Sequence, residues 1–513
     1  MALKNKNNTD QAKYYHNSTK HSLESLRNNK HSLNWSTMPE VFKDYENAVK
    51  IPLPAFQQQA NISTGESIEN SRKPVNVLSN EAMSLMDLAT ILHMTNGATE
   101  IKHFPKMTYM FRAAPSAGAL YPTVTYILVR NVKGLKPGIY HYNVKEECLH
   151  FINTDPDCFK SFSNLVPDAQ LIETAPVTFI YSSIFFRSQW KYRDRAYRYC
   201  LLDAGHLIVQ TILSASAMNY NSVLTGEFDD EKINNLLNFP IDEEAVMAIL
   251  SIGRTILPFE KKNKVRIFDA APKEAEDIFL FLHNSTILKS SKEMTNSKAP
   301  KLIKSKDMNG SDHSLPSKFQ KGDDLFKTIL RRRSKRKWLS NPIPEDMFSS
   351  VLYYSYGVHN EGFGDLSVGA DNILNLYVVV HNIEGIDPGT YYYERKKHDL
   401  ALIKKGFFNE KSLEMAMNQR FVGNANAVFI MTISGDKMKT NRDYRYACMD
   451  AGMLGGRIYL QTTSLGLGST GVGAYFDDKV SKVIEAGSDE MVIYLVAIGI
   501  TSHFKTLTSN DVL

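Results

Sequence analysis

Several features that mark particular classes of protein are absent from this chain of 513 residues. It has only four cysteines, and no two of them form a CxxC pair, which excludes a disulfide framework and argues against a zinc site. No run of about 18 apolar residues occurs, and the first 22 residues are polar, so the sequence predicts neither a membrane span nor a secretory signal. We expect a cytoplasmic protein with no bound metal.

A large excess of one charge and a phosphate-binding glycine loop are also absent. The formal net charge is +5, which does not indicate nucleic-acid binding. No GxGxxG sequence occurs, so a Rossmann-type nucleotide loop is not predicted. Hydrophobic residues make up 43% and charged residues 22%, as in proteins that bury large cores. Because the length exceeds what one core supports, we expect two globular units and a connector.

The chain contains two copies of one sequence pattern. GLKPGIYHY at 134–142 recurs as GIDPGTYYY at 385–393, RAYRYCLLDAGHLIVQ at 195–210 as RDYRYACMDAGMLGGR at 442–457, FDD at 228–230 as FDD at 476–478, and AILSIGR at 248–254 as YLVAIGI at 494–500. The offsets are 251, 247, 248 and 246 residues, so the order is kept with only small insertions and deletions. This pattern indicates a tandem duplication.

Each copy is predicted to fold as a mixed α+β domain. The expected elements are a helix (86–94; 347–356), a strand (124–129; 376–380), a Pro-Gly turn with a second strand, a buried strand (177–181; 427–433), a long helix opening at the DAG sequence, and two closing strands. We predict an N-terminal extension at 1–80, a first domain at 81–283, a solvated linker rich in Ser, Lys and Asn at 284–322, and a second domain at 323–513.

These sequences resemble the SagB/ThcOx-type dehydrogenases, a branch of the FMN-dependent nitroreductase fold. The resemblance rests on NWSTMPEVFKDYENAVKIPLP (34–54), FRAAPSAGALYPTVTYILV (111–129), WKYRDRAYRY (190–199) and LLDAGH (201–206) in the first copy, and on RRRSKRKW (331–338), DPGTYYYE (387–394) and GLGSTGVGAYFDD (466–478) in the second. It implies an FMN held in a groove between two subunits. The fused copies would then form an intramolecular pseudo-dimer, and a further homodimer is left open.

The basic run at 331–336 resembles the phosphate-binding opening of nitroreductases. Arg332, Ser334 and Arg336 fall on the matching positions, where guanidinium groups and a hydroxyl suit a phosphate. The alternative is a solvated run of positive charge. The first copy has a degraded version at 71–80.

The segment 112–122, RAAPSAGALYP, resembles the part of the family that packs against the flavin from the partner subunit. Its small residues would let backbone approach a planar ring, and the alternative is an ordinary turn at a helix start. The second copy has only LSVGAD at 366–371. The candidate residues in this segment are Arg112, Pro115, Ser116, Ala117 and Gly118.

The losses in the two copies are complementary. One composite pocket keeps the phosphate residues of the second copy and the flavin-facing segment of the first, so we predict one FMN per chain and an empty or vestigial mirror pocket. Backbone N–H groups near the flavin N5 are expected from Gly473 and Ala474. That loop is one residue longer than its counterpart at Gly226 and Glu227.

Lys191 and Tyr192 are the candidate catalytic residues. The resemblance implies this role, because azoline-oxidising members use a Lys-Tyr pair at this point as acid and base. Neighbouring arginines at 187, 193 and 195 would help to lower the pKa of the lysine. The alternative is an exposed lysine beside a packing tyrosine.

The leading hypothesis is oxidation of a thiazoline or oxazoline to an azole in a peptide or small molecule, with a cyclodehydratase as partner. An NAD(P)H-dependent reductase of nitro compounds, quinones or enones is the second hypothesis, and a non-catalytic scaffold is the third. We assign the residues shared by both copies, Tyr197, Arg198, Tyr199 and Asp203, to a helix entrance with an Arg-Asp pair, and His206 to the core.

Overall fold

A computed structural model describes residues 9–28, 32–73, 78–104, 107–153, 157–255, 264–275, 277–295, 312–358, 367–369 and 372–502. Up to the end of the first copy, the helices are α1 (Asp10–Ser18), α2 (Leu23–Asn28), α3 (Thr64–Ser71), α4 (Leu85–Asn96), α5 (Cys158–Ser163), α6 (Ala169–Thr174), α7 (Phe185–Tyr192), α8 (Ala196–Ala217), α9 (Asp230–Leu236) and α10 (Ile278–Ser285). The strands are β1 (Val49–Pro52), β2 (Leu78–Ser79), β3 (Ala98–Phe104), β4 (Met107–Arg112), β5 (Thr123–Val129), β6 (Gly138–Asn143), β7 (Cys148–Asn153), β8 (Val177–Ile184), β9 (Asn221–Thr225), β10 (Glu244–Thr255), β11 (Lys264–Ala270) and β12 (Leu288–Thr295).

The second copy repeats the order from β5 to β10 of the first, without a counterpart of α7 among the described residues. Its helices are α11 (Leu325–Arg331), α12 (Glu345–Tyr356), α13 (Asn409–Met415), α14 (Arg420–Gly423), α15 (Asn441–Ser464) and α16 (Asp477–Val483). Its strands are β13 (Asp312–Ser314), β14 (Leu374–Val380), β15 (Gly389–Glu394), β16 (Asp399–Lys405), β17 (Ala427–Ser434), β18 (Leu467–Val472) and β19 (Glu490–Ile500).

Each copy is built on one antiparallel sheet. The strand order is β1-β7-β6-β5-β8-β10-β2, with β9 also on β10, in the first copy, and β13-β16-β15-β14-β17-β19-β18 in the second. Side chains alternate between two cores, as expected for strands covered on both faces: Ile127 and Val129 of β5 face the core shared by both copies, whereas Tyr126 and Leu128 face an outer core. The prediction of two fused α+β domains is confirmed.

Residues 284–322 contain more regular structure than a solvated linker. Strand β12 pairs with β11, and β13 adds to the edge of the second sheet through β16. Both strands are rich in Ser and Lys or very short, so their sequences carry no strong apolar alternation. This is why composition alone predicted a linker there.

The long helices α8 and α15 cross at the DAG sequences. They begin at Ala196 and Asn441, well before DAG, so the prediction that the helices open at DAG was wrong. A Cβ atom on Gly205 would lie 2.9 Å from the Cα of Gly452 and 2.1 Å from the carbonyl oxygen of Met449. The glycines therefore permit close contact between the two helix backbones at the centre of the pseudo-dimer.

One helical stretch among the described residues, Phe185–Ala217, is long and apolar enough to match a membrane span by composition. Its most apolar window is entirely buried within the protein. Its apolar side chains therefore pack in the core between the copies.

Aspartates of the FDD sequences form buried ion pairs between the two copies. Asp477 of the second copy accepts hydrogen bonds from Arg195 and Arg198 of the first, at 3.0 Å each. Conversely, Asp230 of the first copy pairs with the second-copy arginines Arg442 and Arg445. The Arg-Asp pair predicted within the helix entrance is wrong, because each conserved arginine reaches across to the other copy.

We expect Asp477→Ala to destabilise the protein strongly. The substitution leaves the buried guanidinium groups of Arg195 and Arg198 without their carboxylate, a loss of about 3–5 kcal/mol. The matched control is Asp478→Ala, because Asp478 is 70% exposed and forms a surface pair with Lys20. Urea denaturation should show a much lower midpoint for the first variant and little change for the second. Equal midpoints in both variants would contradict this account of the interface.

Candidate active site between the two copies

A cleft with a volume of about 200 Å³ lies between the copies. Its walls contain nine of the twelve predicted site residues: Pro115, Ser116, Ala117, Gly118 and Tyr192 from the first copy, and Ser334, Arg336, Gly473 and Ala474 from the second. A larger cavity of about 650 Å³ shares no residue with this cleft. The composite pocket predicted from the complementary losses is therefore formed by residues that lie far apart in sequence.

The second-copy side of the cleft has groups suited to a phosphate. The hydroxyls of Ser334 and Tyr459 are 2.9 Å apart, and the Tyr459 hydroxyl also accepts a hydrogen bond from the backbone N–H of Gly471. Arg336 is exposed and has no carboxylate partner among the described residues. A guanidinium and a hydroxyl at one position fit the donor set that a phosphate requires.

The opposite wall is a segment of small residues held in place by Asp203. The Ser116 hydroxyl donates to one carboxylate oxygen of Asp203 at 2.5 Å, and the Ala117 N–H donates to the other at 3.2 Å. Gly118 has a φ of +67°, which a residue with a side chain rarely adopts. A Cβ there would also lie 2.7 Å from the Tyr192 hydroxyl, so a residue larger than glycine would collide with Tyr192 at this wall.

Three predicted residues do not line the cleft: Lys191, described below, and Arg112 and Arg332, which bind backbone carbonyls instead. The buried Arg112 guanidinium donates to the carbonyl of Val41 at 2.8 Å and stacks on the Tyr121 ring. The Arg332 guanidinium donates to the carbonyls of Ala113 at 2.8 Å and of Arg112 at 3.3 Å. Burial lowers the pKa of both arginines, and each donates to backbone carbonyls of the protein. Arg332 thus positions the segment of the first copy that leads to the cleft, and the structure corrects both assignments.

Lys191 and Tyr192 lie together above Gly118. The position that a Cβ on Gly118 would take is 2.7 Å from the Tyr192 hydroxyl and 3.1 Å from the Lys191 Nζ. Burial, followed by the nearby Tyr199 and Asp203, raises the pKa of Tyr192, so its phenol remains protonated near neutral pH. The Tyr192 phenol therefore lies in the wall of the cleft, and the Lys191 amine lies beside Gly118 and lines the neighbouring cavity.

The arginines expected to act on Lys191 have different roles. Arg187 donates to the backbone carbonyls of Glu40 and Tyr121, and Arg195 pairs with Asp477. Arg193 is exposed. Their proximity in sequence therefore does not mean that all three guanidinium groups face the lysine.

The comparison with known sequences identifies the family. The Nitroreductase family model matches residues 71–254 and 329–500, and so covers both copies. The chain belongs to the nitroreductase family. A protein of Methanocaldococcus jannaschii named as nitroreductase MJ1384 is 30% identical over 180 residues, which are 34% of this chain and 90% of that protein.

Two further relatives of this nitroreductase-family chain are informative. The trifolitoxin-processing protein TfxB of Rhizobium leguminosarum is 25% identical over 207 residues, covering 39% of this chain and 54% of TfxB. The crystal structure of a nitroreductase-like protein from Anabaena variabilis superposes with a TM-score of 0.76 at 26% identity, covering 96% of this chain and 99% of that one. The fold is therefore shared over nearly the full length of both chains.

Among the described residues, the walls of the mirror cleft of the nitroreductase pseudo-dimer contact each other directly. Gly226 donates its N–H to the carbonyl of Val368, and its own carbonyl accepts from the Tyr446 hydroxyl, each at 3.0 Å. A Cβ on Gly369 would lie 2.6 Å from the Tyr446 ring. The predicted second-copy segment 366–371 is described only at 367–369. Where it is described, backbone and a tyrosine ring occupy the space between the two walls.

Sequence reasoning missed several residues of the open cleft. The Tyr199 hydroxyl donates to the carbonyl of Gly473 at 2.9 Å, and the Gln419 side-chain amide donates to that of Ala474 at 2.8 Å. His206 is buried as expected, but it also lines the cleft, and burial lowers its pKa to about 3. For Tyr199 and His206 the sequence signal is the YRY and DAGH pattern, which from sequence indicates packing. Only the fold shows that these residues also border the site.

We expect the stability contributed by Asp203 to depend on pH. Burial raises its pKa from 3.8 to about 7, against opposing hydrogen bonds from Ser116 and Ala117. Between these values the folded protein holds a proton that the unfolded chain has lost, so stability falls as pH rises from about 4 to about 7, by at most about 4 kcal/mol. Asp203→Asn should lack this fall, whereas the exposed control Asp436→Asn should keep it. Parallel urea-midpoint profiles for wild type and Asp203→Asn would refute the assignment.

Proposed function

We propose that this nitroreductase-family chain binds one FMN in the composite cleft and oxidises an azoline ring, a thiazoline or oxazoline, to the azole. The observation that carries the proposal is the position of the Lys191 amine and the Tyr192 phenol together above Gly118, beside a cleft that also contains groups suited to a phosphate. Bound FMN would accept a hydride from the substrate and be reoxidised by dioxygen.

The residues that line the cleft suit the chemical groups of an FMN molecule. Ser334 and Arg336 would bind its phosphate, and the low wall from Pro115 to Gly118 would allow backbone to approach a planar ring. The carbonyls of Gly473 and Ala474 are engaged by Tyr199 and Gln419, which fixes the loop opposite.

The two residues of the catalytic pair would have different roles. The Tyr192 phenol stays protonated, so it would donate a hydrogen bond to a ring heteroatom of the substrate and orient the ring. The Lys191 side-chain nitrogen would accept the proton removed from the ring carbon. Loss of this carbon-bound proton together with a hydride balances the two-electron oxidation of an azoline to an azole.

The likeness to TfxB, named as a trifolitoxin-processing protein, supports a peptide or related natural product as the substrate. We also propose a cyclodehydratase as partner, because an azoline must be formed by loss of water before it can be oxidised. The name of the Methanocaldococcus jannaschii relative supports a second candidate, reduction of a nitro compound, quinone or enone at the expense of NAD(P)H.

An anaerobic reduction experiment separates these two functions. The FMN-loaded protein is mixed either with a thiazoline-containing peptide or with NADPH, and flavin absorbance is followed. The dehydrogenase function predicts bleaching by the thiazoline peptide, formation of the thiazole, and little reaction with NADPH. Rapid bleaching by NADPH and none by the peptide would replace the proposal with the reductase function.

A further inference from the structure

A second cavity adjoins the cleft on the side of the catalytic pair. It has a volume of about 440 Å³, and Tyr192 and Tyr199 line both spaces. One side is formed by residues 18–28, from the end of α1 through α2, and the other by residues 191–195. A molecule that reaches Lys191 and Tyr192 through this cavity therefore passes between the N-terminal segment and the end of α7.

The lining of this cavity is positively charged. Its basic residues with a carboxylate partner are Lys20, bonded to Asp478, and Arg195, bonded to Asp477. Lys191 and Arg193 are exposed, and neither has a carboxylate partner among the described residues. Asp194 is the acidic residue in the described lining, and the buried Asp477 is shared by two arginines. Burial lowers the pKa of His21 to about 4, so it adds no charge at neutral pH.

Arg193 is held in an unusual backbone conformation at this position. Its φ is +49° and its ψ is −129°, a region that residues with side chains rarely adopt. The turn ends α7 directly after Lys191 and Tyr192 and leaves the Arg193 side chain exposed in the cavity wall. A guanidinium in this position has its donors available for a ligand.

We propose that this cavity is the substrate entrance and that Arg193 binds a carboxylate of the substrate. The preferred substrate is then an azoline with a carboxylate close to the ring, either the C-terminal carboxylate of a peptide or an adjacent acidic side chain. A guanidinium recognises both through the same charge-assisted hydrogen bonds. This inference rests on the proposed function and adds a substrate class to it.

Binding of the azole product tests the inference without requiring turnover. Titration calorimetry on the FMN-loaded protein compares two pairs of probes: 2-methylthiazole-4-carboxylate with its carboxamide, and a thiazolyl-aspartyl amide with the thiazolyl-asparaginyl amide. The first pair tests a terminal carboxylate and the second an acidic side chain. We expect at least one acid to bind about tenfold more tightly than its neutral counterpart, as one charge-assisted contact allows.

Two variants test whether Arg193 causes the preference for the acid. Arg193→Gln should reduce the preference for the acid to near onefold, whereas Lys437→Gln, which removes a positive charge from the second copy, should leave it unchanged. Equal binding of acids and amides, or an acid preference that survives in Arg193→Gln, would overturn this inference while leaving azoline oxidation intact. If none of the four azoles binds, both proposals would be overturned.

Discussion

Gly205→Ala is expected to prevent the two copies from packing into a native pseudo-dimer. Alanine normally stabilises a helix interior by about 1 kcal/mol relative to glycine. Here the added Cβ would lie 2.1 Å from the carbonyl oxygen of Met449 and 2.9 Å from the Cα of Gly452. Both atoms belong to the backbone of α15, so a rotamer change cannot relieve the contact. We expect a loss of at least about 3 kcal/mol.

Thermal and urea denaturation of the purified variant measure this effect. The control is Gly487→Ala, because a Cβ on Gly487 would have no neighbour closer than the Glu490 Cγ at 3.9 Å. Gly487→Ala should denature close to wild type, whereas Gly205→Ala should be insoluble or have a much lower midpoint. A Gly205→Ala protein as stable as wild type would show that the helices do not cross as described.

Lys191→Met is expected to reduce the rate of azole formation by about 10²- to 10⁴-fold, the range usual for loss of a general base. FMN content should remain unchanged, because the residues suited to the phosphate, Ser334 and Arg336, lie in the other copy. Tyr192→Phe should also reduce turnover, since it removes the phenol that orients the ring but keeps the aromatic contact with Tyr199, whose ring centre is 4.3 Å away.

The matched control for the catalytic lysine is Lys439→Met, at the corresponding point of the second copy. Steady-state azole formation and flavin absorbance are measured for each variant. The control should keep both wild-type turnover and wild-type flavin content. A Lys191→Met enzyme that retains more than about a tenth of its turnover would exclude this lysine as the base.

The sequence predicted those properties that follow from internal comparison. The two copies, their α+β class and the meeting of Pro115 to Gly118 with Ser334 and Arg336 could be inferred because each copy shows what the other has lost. Helix positions followed from apolar periodicity, and strand positions from short, largely apolar runs such as β5 and β14, where every residue is buried.

The acceptors of the buried arginines could not be predicted. Arg332 binds backbone carbonyls of the first copy, and Arg198 binds Asp477 of the second. A guanidinium is satisfied equally well by a phosphate, a carboxylate or a carbonyl, so residue type alone does not identify its partner. The same limitation concealed the role of Gly205, because a glycine that permits helix crossing looks in sequence like one that ends a helix.

The central claim is that the duplicated chain keeps one working cofactor site and has closed the other. The most direct measurement is the ratio of FMN to polypeptide in the purified, FMN-saturated protein, from flavin absorbance and amino-acid analysis. The account predicts a ratio of one, because the backbone of Gly226 is hydrogen-bonded to that of Val368 across the mirror cleft. A ratio of two, or no bound flavin at all, would contradict it.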